Sequence, residues 1–498
     1  MKRTTSRTYV DKQVSSGAPS IPFEPSDVGF SLPSASEELA STRLPDARLR
    51  RRLGRIADDL AETPNASFPK AAGNVAALEA TYRFFNNDAV EPELILAAHR
   101  SATLARMSSA AEVLVVHDTT SLEFRGDAHR EGLGRLRGGG QGFFSHVALA
   151  VTADGARRPL GVLSHAVRVR LGPAKGKRSH KELMEDPDNE SKRWGESIEA
   201  AETANAGRTS LIHVMDREAD AYPLMSSLCE RGFRFVIRAS RDRVTSVSTD
   251  DGACYAKVSD STSQADIVAT RDVPISKRKD GSTPSNRKVH PPRQCRTAKL
   301  VFRAVGAQLV RPNYLPSDVA PRLAVNVVQV DEIDVEEGLM PIRWTLYTNE
   351  RIETAADILR VVDIYRARWT IEEYFKALKQ GCAFESRQLD SLKSLLVALA
   401  IFIPIAWRLL LLRSLGRVED HTPATDVLSE LQVEVLVATS KGKLIGRPTV
   451  RQAMLAIAAR GGHIPSNGEP GWMVLGKGFH ELLLLEAGWI AARSAAPP

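Results

Sequence analysis

Two runs of mainly apolar residues, each closed by an aspartate, constrain the fold of this chain most, and the first of them is mostly β-branched. They are AEVLVVHDTT, which reaches Asp118, and SLIHVMDREAD, which reaches Asp216. Two more strands are predicted in SHVALAVTADG and RPLGVLSHAVRVR, joined by a turn at Asp154-Gly155. Since SKRWGESIEAAETA between these strands and the second run is helical in pattern, we predict a mixed α/β sheet.

Both aspartates are predicted to stand where a strand ends, which is where sheets of this class place polar chemistry. Asp118 and Asp216 are therefore candidate functional residues. Either of them could instead serve only as a cap or as an ion-pair partner.

A third acid lies in YRARWTIEEYFKALKQG, residues 365–381, which has the composition of a helix. At about 100° per residue, one stripe of this helix is predicted to face the core and contains Ile371, Tyr374, Phe375 and Leu378. A second stripe contains Tyr365, Arg368, Glu372, Lys376 and Lys379. This second stripe is either a solvated face, with Arg368 and Glu372 as an ion pair, or a surface that holds an anionic partner.

Composition narrows the class of protein. A chain of 498 residues predicts two to four domains, and 43% hydrophobic with 26% charged residues describes a folded globular protein. The net charge of +7 is concentrated in clusters such as RLRRRLGRI and SKRKDGSTPSNRKVHPPRQCR, which favour phosphate-bearing partners or serve solubility alone. Four widely spaced cysteines without a C-x-x-C pair argue against structural zinc and a disulfide framework, and suit a reducing cytoplasm.

The pattern along the chain predicts four regions. Residues 1–26 are predicted to be a disordered tail, 27–95 a helical N-terminal domain compatible with DNA recognition, 96–415 an α/β domain with a β-rich insertion at about 237–347, and 416–498 a helical C-terminal domain. No signal peptide is expected at the N-terminus. The apolar segment LLVALAIFIPIAW, about 13 residues before Arg408, is shorter than a membrane span and is predicted to be a buried helix bent at Pro404. No membrane partner is expected.

Three carboxylates gathered at one sheet edge would repel each other unless a cation joins them. A pair of Mg²⁺ ions about 3.5–4 Å apart is one solution, and such a pair can activate a water or a 3′-hydroxyl for phosphodiester cleavage. Mn²⁺ can substitute for Mg²⁺ at such a site. Asp118, Asp216 and Glu372 are the candidate ligands.

The segments VVHDTTSLEF, VMDREADAY and YRARWTIEEYFKALKQG resemble, in this order, the three catalytic motifs of the insertion-sequence-four family of DNA transposases. The family signature is Tyr, two residues, Arg, three residues, Glu, six residues, Lys. This chain supplies it as Tyr365, Arg368, Glu372 and Lys379. The resemblance extends from about Asp46 to the C-terminal region, and is weakest at the front, where Pro45-Asp46 replaces the family's Gly-Asp.

The resemblance implies an RNase H-like catalytic core with an inserted β-rich subdomain, flanked by helical N- and C-terminal domains. Asp118, Asp216 and Glu372 would be the metal-binding catalytic triad, and Glu373 a bystander. The residues implied to contact DNA phosphates are Tyr365, Arg368 and Lys379, with Lys376 beside them. Trp344 would stack on a base flipped out of the duplex, or is an ordinary strand residue. Arg48 and Arg51 are candidates for DNA-backbone contact, with a solvated helix face as the alternative.

The implied activity is cut-and-paste transposition through a hairpin intermediate, with transfer of 3′-hydroxyl ends to target DNA. The implied partners are double-stranded DNA (terminal inverted repeats and target) and a second copy of the chain, bound through residues from about 416 onward, in a synaptic complex. A cytoplasmic, nucleoid-associated location is expected. Two alternatives stay open: a DNA-binding relative that no longer cuts, and an RNase H-like nuclease without strand transfer, against which the long insertion and Trp344 argue.

Overall fold

The computed structural model describes residues 33–126, 129–136, 140–170, 182, 189, 191–249, 252–275, 292, 294–417, 421–467 and 469–495. The predicted tail at 1–26 and most of the basic stretch at 276–296 lie outside these residues. The chain forms two compact units. The insertion unit is Asp216–Tyr365, and the core unit comprises the described residues of Val28–Met215 and Arg366–Pro498.

The core unit begins with helices, as the sequence predicts for this region. They are α1 (Ala35–Glu38), α2 (Ala47–Glu62), α3 (Phe68–Ala72), α4 (Val75–Phe85) and α5 (Pro92–Met107). Helix α2 begins at Asp46, whose side chain accepts a hydrogen bond from the Arg48 backbone N–H. Its buried face carries Leu53, Ile56 and Leu60, at helical spacing, so its arginines lie on the outer face.

A sheet follows in the core unit. Its strands are β1 (Glu112–Phe124), β2 (Gly134–Arg135), β3 (Gln141–Thr152), β4 (Pro159–Arg168) and β5 (Ser210–Met215). The order is β2–β3–β1–β5, and β4 pairs with β3. Strand β1 is antiparallel to β3 and parallel to β5. Helix α6 (Lys192–Asn205) packs against this sheet, and one hydrophobic cluster joins α5, α6 and the strands.

The prediction that the first strand ends at Asp118 is wrong. Strand β1 continues to Phe124, because β3 pairs with it over its whole length, from Val113–Thr152 to Phe124–Gln141. The parallel partner β5 stops earlier, at the pair Val116–Val214. Asp118 therefore lies within a strand, two residues beyond the last pair with β5.

The insertion unit is mainly antiparallel sheet, in agreement with the strand-like sequence. Its strands are β6 (Arg234–Arg238), β7 (Val244–Thr249), β8 (Gly252–Lys257), β9 (Ala269–Ile275), β10 (Arg296–Val310), β11 (Arg322–Ile333) and β12 (Arg343–Thr348). They run in the order β6–β12–β11–β10–β7–β8, with β9 on β10. The helices are α7 (Tyr222–Glu230), α8 (Val258–Ser263) and α9 (Ala355–Arg366). Val327, Val330 and Leu346 have no exposed surface.

The prediction of one helix over residues 365–381 is wrong. Helix α9 ends at Arg366, α10 runs over Trp369–Lys376, and a π-helical turn covers Ala377–Gly381. At the first break the hydrogen bonds shorten to three-residue spacing, from Thr370 N–H to the Ala367 carbonyl and from Ile371 N–H to the Arg368 carbonyl. The predicted polar stripe therefore does not lie on one continuous helix. The predicted core face is confirmed, since Ile371, Tyr374, Phe375 and Leu378 are buried.

The remaining helices are α11 (Leu392–Arg417), α12 (Glu430–Ala438), α13 (Val450–Arg460) and α14 (Trp472–Ala495). The expectation that the apolar segment stops at Arg408 is wrong, because α11 has 26 residues and continues through Arg408, which donates to the Pro33 carbonyl. By length and composition alone α11 could cross a membrane, but 89% of its most apolar window is buried inside the protein. The burial agrees with the predicted core helix. The predicted bend at Pro404 stays a prediction.

Candidate active site and DNA-contact residues

Two of the three candidate acids meet at a single arginine in the core unit. Asp118 comes from β1 and Glu372 from the first turn of α10, and Arg368 precedes that helix. The guanidinium of Arg368 donates from Nη1 to Asp118 Oδ2 at 3.2 Å and from Nη2 to Glu372 Oε1 at 2.5 Å. The three side chains are 16–30% exposed, so water screens these pairs less than it screens pairs on an open surface.

The third candidate acid, Asp216, directly follows β5. Its carboxylate caps the 3₁₀ turn Arg217–Ala219 by accepting the Glu218 backbone N–H at 2.8 Å. Asp216 is two residues beyond Val214, as Asp118 is two residues beyond its parallel partner Val116. Within the described parts of the chain, no three His, Cys, Asp or Glu side chains are grouped closely enough to hold a metal ion. The three-acid metal set therefore stays a prediction.

The donor chemistry at Arg368 suits a hard divalent cation. Oxygens from two carboxylates, carried by distant parts of the chain, converge on one positively charged group. Mg²⁺ and Mn²⁺ prefer carboxylate oxygen ligands. Asp118 and Glu372 are thus residues that could hold such an ion.

A buried polar layer lies behind β1, which sequence reasoning missed. His117 has no exposed surface and contacts Ser197 Oγ through Nδ1 at 3.2 Å and His213 Nδ1 through Nε2 at 2.9 Å. His213 in turn contacts Glu202 Oε1 at 3.1 Å. Burial, together with the neighbouring histidines, lowers the pKa of His117 well below its usual value. The residue is neutral and serves as a hydrogen-bonding element of the core.

Thr119, the residue after Asp118, is held by the same layer. Its hydroxyl contacts His146 Nδ1 at 2.8 Å and accepts a hydrogen bond from Arg193 Nε at 2.8 Å. Burial, and then the charge of Arg193, lowers the pKa of His146 to about 3. These contacts fix β1 at the position where it presents Asp118. The only sequence signal was that polar His117 and Thr119 alternate with Asp118 along a strand.

Trp344 and Tyr365 lie together in the insertion unit. Their rings are 5.7 Å apart in an edge-to-face arrangement, and the guanidinium of Arg238 lies 5.7 Å from the Trp344 ring. Trp344 is partly exposed, whereas Tyr365 is 5% exposed, so most of the tyrosine surface packs inside the protein. Their roles toward DNA stay predictions.

The two lysines of the predicted stripe are both engaged by protein groups. Lys379 Nζ donates to the Ser121 carbonyl on β1 at 2.5 Å and lies 3.4 Å from Glu385 Oε1. Lys376 Nζ lies 3.0 Å from Glu373 Oε1 and 4.9 Å from the Trp369 ring. Both lysine side chains keep about a quarter of their surface exposed.

Glu373, implied to be a bystander, is the centre of a buried ion-pair network. It is 4% exposed and contacts Lys376, Arg413 and Arg417. This network could not be predicted from residue spacing, because Arg413 and Arg417 lie on a different helix.

The arginine cluster of α2 lines a surface groove. Arg48 and Arg52 form this groove with Arg83 and Asn87 from the α4 region. Arg48 has an 85% exposed side chain, 3.5 Å from Asp46, and Arg51 is also exposed. Arg83 was not identified from the sequence, since it lies on a separate helix.

Comparison with protein families gives two matches. Residues 33–90 match the family model described as "Transposase DNA-binding", and residues 189–403 match the one described as "Transposase DDE domain". The first match contains the arginine-lined groove. The second contains Asp216, Trp344, Arg368 and Glu372, whereas Asp118 lies outside both.

Among solved structures, the chain is similar to one titled "Cryo-EM structure of piggyBac transposase synaptic complex with hairpin DNA (SNHP)". The match covers 94% of this chain and 81% of that chain, with 8% identity and a TM-score of 0.35. A TM-score of this size does not establish a common fold, so the assignment depends on the two family matches. Together they identify the chain as a transposase of the DDE type, an enzyme that uses divalent metal ions to cleave DNA and transfer its strands.

Proposed function

We propose that this DDE transposase is a cut-and-paste enzyme of the insertion-sequence-four family, which cleaves transposon ends through a hairpin intermediate and joins their 3′-hydroxyl ends to target DNA. The observation that carries the proposal is the shared guanidinium of Arg368. It contacts Asp118, 250 residues away in sequence, and Glu372, one turn along. Two acids from separate catalytic motifs, Asp118 and Glu372, therefore contact the same guanidinium.

In this proposal Asp118, Asp216 and Glu372 hold two Mg²⁺ ions, for which Mn²⁺ can substitute. When bound, the ions lower the pKa of the attacking water or 3′-hydroxyl and neutralise charge on the leaving oxygen. Asp118 and Asp216 each lie two residues beyond the last pair of the parallel strands β1 and β5, Val116–Val214, and this matching spacing supports their common role. Arg368 keeps the carboxylates of Asp118 and Glu372 together before metal binds, and its planar donors can then contact a DNA phosphate.

Each proposed step exchanges one phosphoester bond for another. The attacking oxygen of water or of a 3′-hydroxyl forms a bond to phosphorus and loses its proton. The bond from phosphorus to the 3′-oxygen of the cut strand breaks, and that oxygen takes up a proton. Lys379 and Tyr365 contact phosphates near the cut, with Lys376 beside them, and Trp344 stacks on the flipped base. The partial exposure of Trp344 and its adjacent arginine are compatible with a base entering there.

Binding and assembly complete the proposal. Arg48 and Arg51 contact the DNA backbone of the terminal inverted repeats, which the exposure of both side chains supports. Two copies of the chain associate through residues 416–498 in a synaptic complex. Exposed apolar side chains on α14, such as Met473 and Leu484, support that surface. The enzyme acts in the cytoplasm on nucleoid DNA.

The test uses purified protein and a plasmid that carries the genomic DNA flanking its gene, with Mg²⁺, and reads products on a denaturing gel. The wild type is expected to give hairpin ends. Asp118→Asn, Asp216→Asn and Glu372→Gln are each expected to abolish cleavage while leaving DNA binding largely intact. Glu218→Gln is the matched control, since this exposed acid is two residues from Asp216 and should cut normally.

A second readout does not need activity. Fe²⁺ with ascorbate should cut the polypeptide next to the metal ligands in the wild type, and each acid variant should lose that cut. Undiminished DNA cleavage by any acid variant would refute the assignment. DNA binding without cutting in the wild type would favour the silent relative, and nicks without hairpins or joined products would favour a simple nuclease.

A further inference from the structure

Glu372 and Glu373 are neighbours with opposite environments. The Glu372 side chain is 30% exposed beside Arg368, whereas the Glu373 side chain is 6% exposed. Adjacent residues of a helix point about 100° apart, so one rotation of α10 about its axis sets both directions. Whatever fixes Glu373 inside the protein therefore also fixes where Glu372 points.

Helix α10 does not continue as regular α-helix at either end. It has eight residues, with the break at 367–368 before it and the π-helical turn Ala377–Gly381 after it. In that turn the Cys382 N–H donates to the Ala377 carbonyl at 2.8 Å, a five-residue spacing. Because both ends depart from regular α-helix, the rotation of α10 depends on its side-chain contacts.

Besides the buried apolar face of α10, the contacts of Glu373 can set that rotation. Its carboxylate lies 2.8 Å from Arg413 Nη1, 3.0 Å from Lys376 Nζ and 3.6 Å from Arg417 Nη2. Three cationic side chains therefore surround a carboxylate that is almost wholly buried, and losing that carboxylate would leave their charges without a partner, which is costly. These contacts hold Glu373 in place.

The network continues into the C-terminal helices. Arg413 belongs to α11, and its guanidinium lies 4.4 Å from the ring centre of Trp472, the first residue of α14. Trp472 is 3% exposed. Glu373 is thus connected through one arginine to two helices of the core unit.

We infer that Glu373 is a positioning residue for the reaction: anchored by Arg413, it fixes the rotation of α10 and so directs Glu372 toward its metal. This inference rests on the proposed role of Glu372 as a metal ligand. It adds a route by which the C-terminal helix α14 influences the active site, through Trp472 and Arg413.

The test measures Mn²⁺ binding to the full-length protein from the electron paramagnetic resonance signal of free Mn²⁺. Glu372→Gln is expected to lose the site. Glu373→Gln keeps the size of the side chain but removes its charge, and is expected to weaken Mn²⁺ binding by roughly tenfold, as changes to the supporting contacts of metal ligands do. Glu373→Asp, which keeps the charge, should bind Mn²⁺ more tightly than Glu373→Gln.

The double variant Glu373→Gln/Arg413→Gln should recover part of the lost affinity, because it also removes the guanidinium nearest to the lost carboxylate and so leaves one buried cation fewer without a partner. Circular dichroism establishes that each variant is folded. If Glu373→Gln does not fold, the double variant decides: Mn²⁺ affinity below that of the wild type supports the inference, and equal affinity overturns it.

The two ideas fail in different ways. If Glu373→Gln binds Mn²⁺ as the wild type does while Glu372→Gln does not, the positioning role is overturned and the metal site stands. If the wild type binds Mn²⁺ no better than Glu372→Gln, the proposed metal site itself is overturned, and the positioning role with it.

Discussion

Replacing Arg368 with glutamine should make the stability of the protein dependent on divalent ions. The substitution removes the guanidinium that contacts both Asp118 and Glu372. Exposed ion pairs contribute about 0–1 kcal/mol, whereas breaking a buried pair costs roughly 3–5 kcal/mol. With side chains 16–30% exposed, the loss should be about 2 kcal/mol, which lies between these limits.

A divalent ion held by the same carboxylates should offset this loss. An ion present at about 100 times its dissociation constant stabilises the folded state by about 2.7 kcal/mol, which exceeds the expected cost of the substitution. In differential scanning calorimetry at a fixed scan rate, the variant should therefore melt a few degrees below the wild type without metal, and recover on addition of Mn²⁺.

The control is Arg296→Gln. Arg296 has nearly the same side-chain exposure, 17%, and binds the Glu332 carboxylate at 2.7 Å. Its loss should lower the melting temperature with or without Mn²⁺. If Mn²⁺ fails to restore Arg368→Gln more than it restores the control, the carboxylates of Asp118 and Glu372 do not share a metal site.

Three other predictions follow from individual contacts. Lys379→Ala should weaken binding to transposon-end DNA and reduce the slope of log affinity against log salt by about 1, measured by fluorescence anisotropy; an unchanged slope would exclude a phosphate contact. Burial raises the pKa of the Glu38 carboxyl, but its hydrogen bonds to His99 and Arg106 outweigh burial and lower the pKa to about 2. The ionised Glu38 should therefore stabilise the fold above the usual carboxyl pKa, and this stabilisation should be lost as the pH falls toward 2. At pH 6 the free energy of unfolding of Glu38→Gln should be about 3 kcal/mol below that of the wild type, so its melting temperature should be lower. The two melting temperatures should converge near pH 2, and a difference that is constant with pH would contradict the ion pair. Trp344→Ala should reduce hairpin formation while leaving the first nick intact on a denaturing gel, and equal loss of both products would argue against base stacking.

Much of the local structure could be predicted because it depends on residue spacing. The helix at Ala47–Glu62 and the core face of α10 follow from apolar residues at helical intervals. The strand before Asp216 follows from its run of apolar residues, and β5 ends at Met215, directly before that aspartate. The length of β1 was mispredicted because it depends on pairing with β3, about 30 residues further along, and not on its own residues.

In the candidate site, too, some features could be predicted from the sequence and others depend on contacts between distant segments. The acids Asp118, Asp216 and Glu372 were identified from motif order, and the family matches support a DDE enzyme. The contact of Arg368 with Asp118 could not be predicted, because it requires β1 and α10 to meet. Likewise, Glu373 differs from Glu372 only by what packs against it, namely Arg413 and Arg417 of another helix.

The types of residue and their order along the chain are enough to predict the class of enzyme. Tertiary contacts set the point at which α9 and α10 separate, the carboxylates that share Arg368, and which of the two adjacent glutamates is buried. Periodicity predicts which face of a segment packs against the core, but the direction of a charged side chain depends on partners from distant segments, because a buried charge is stable only beside an opposite one.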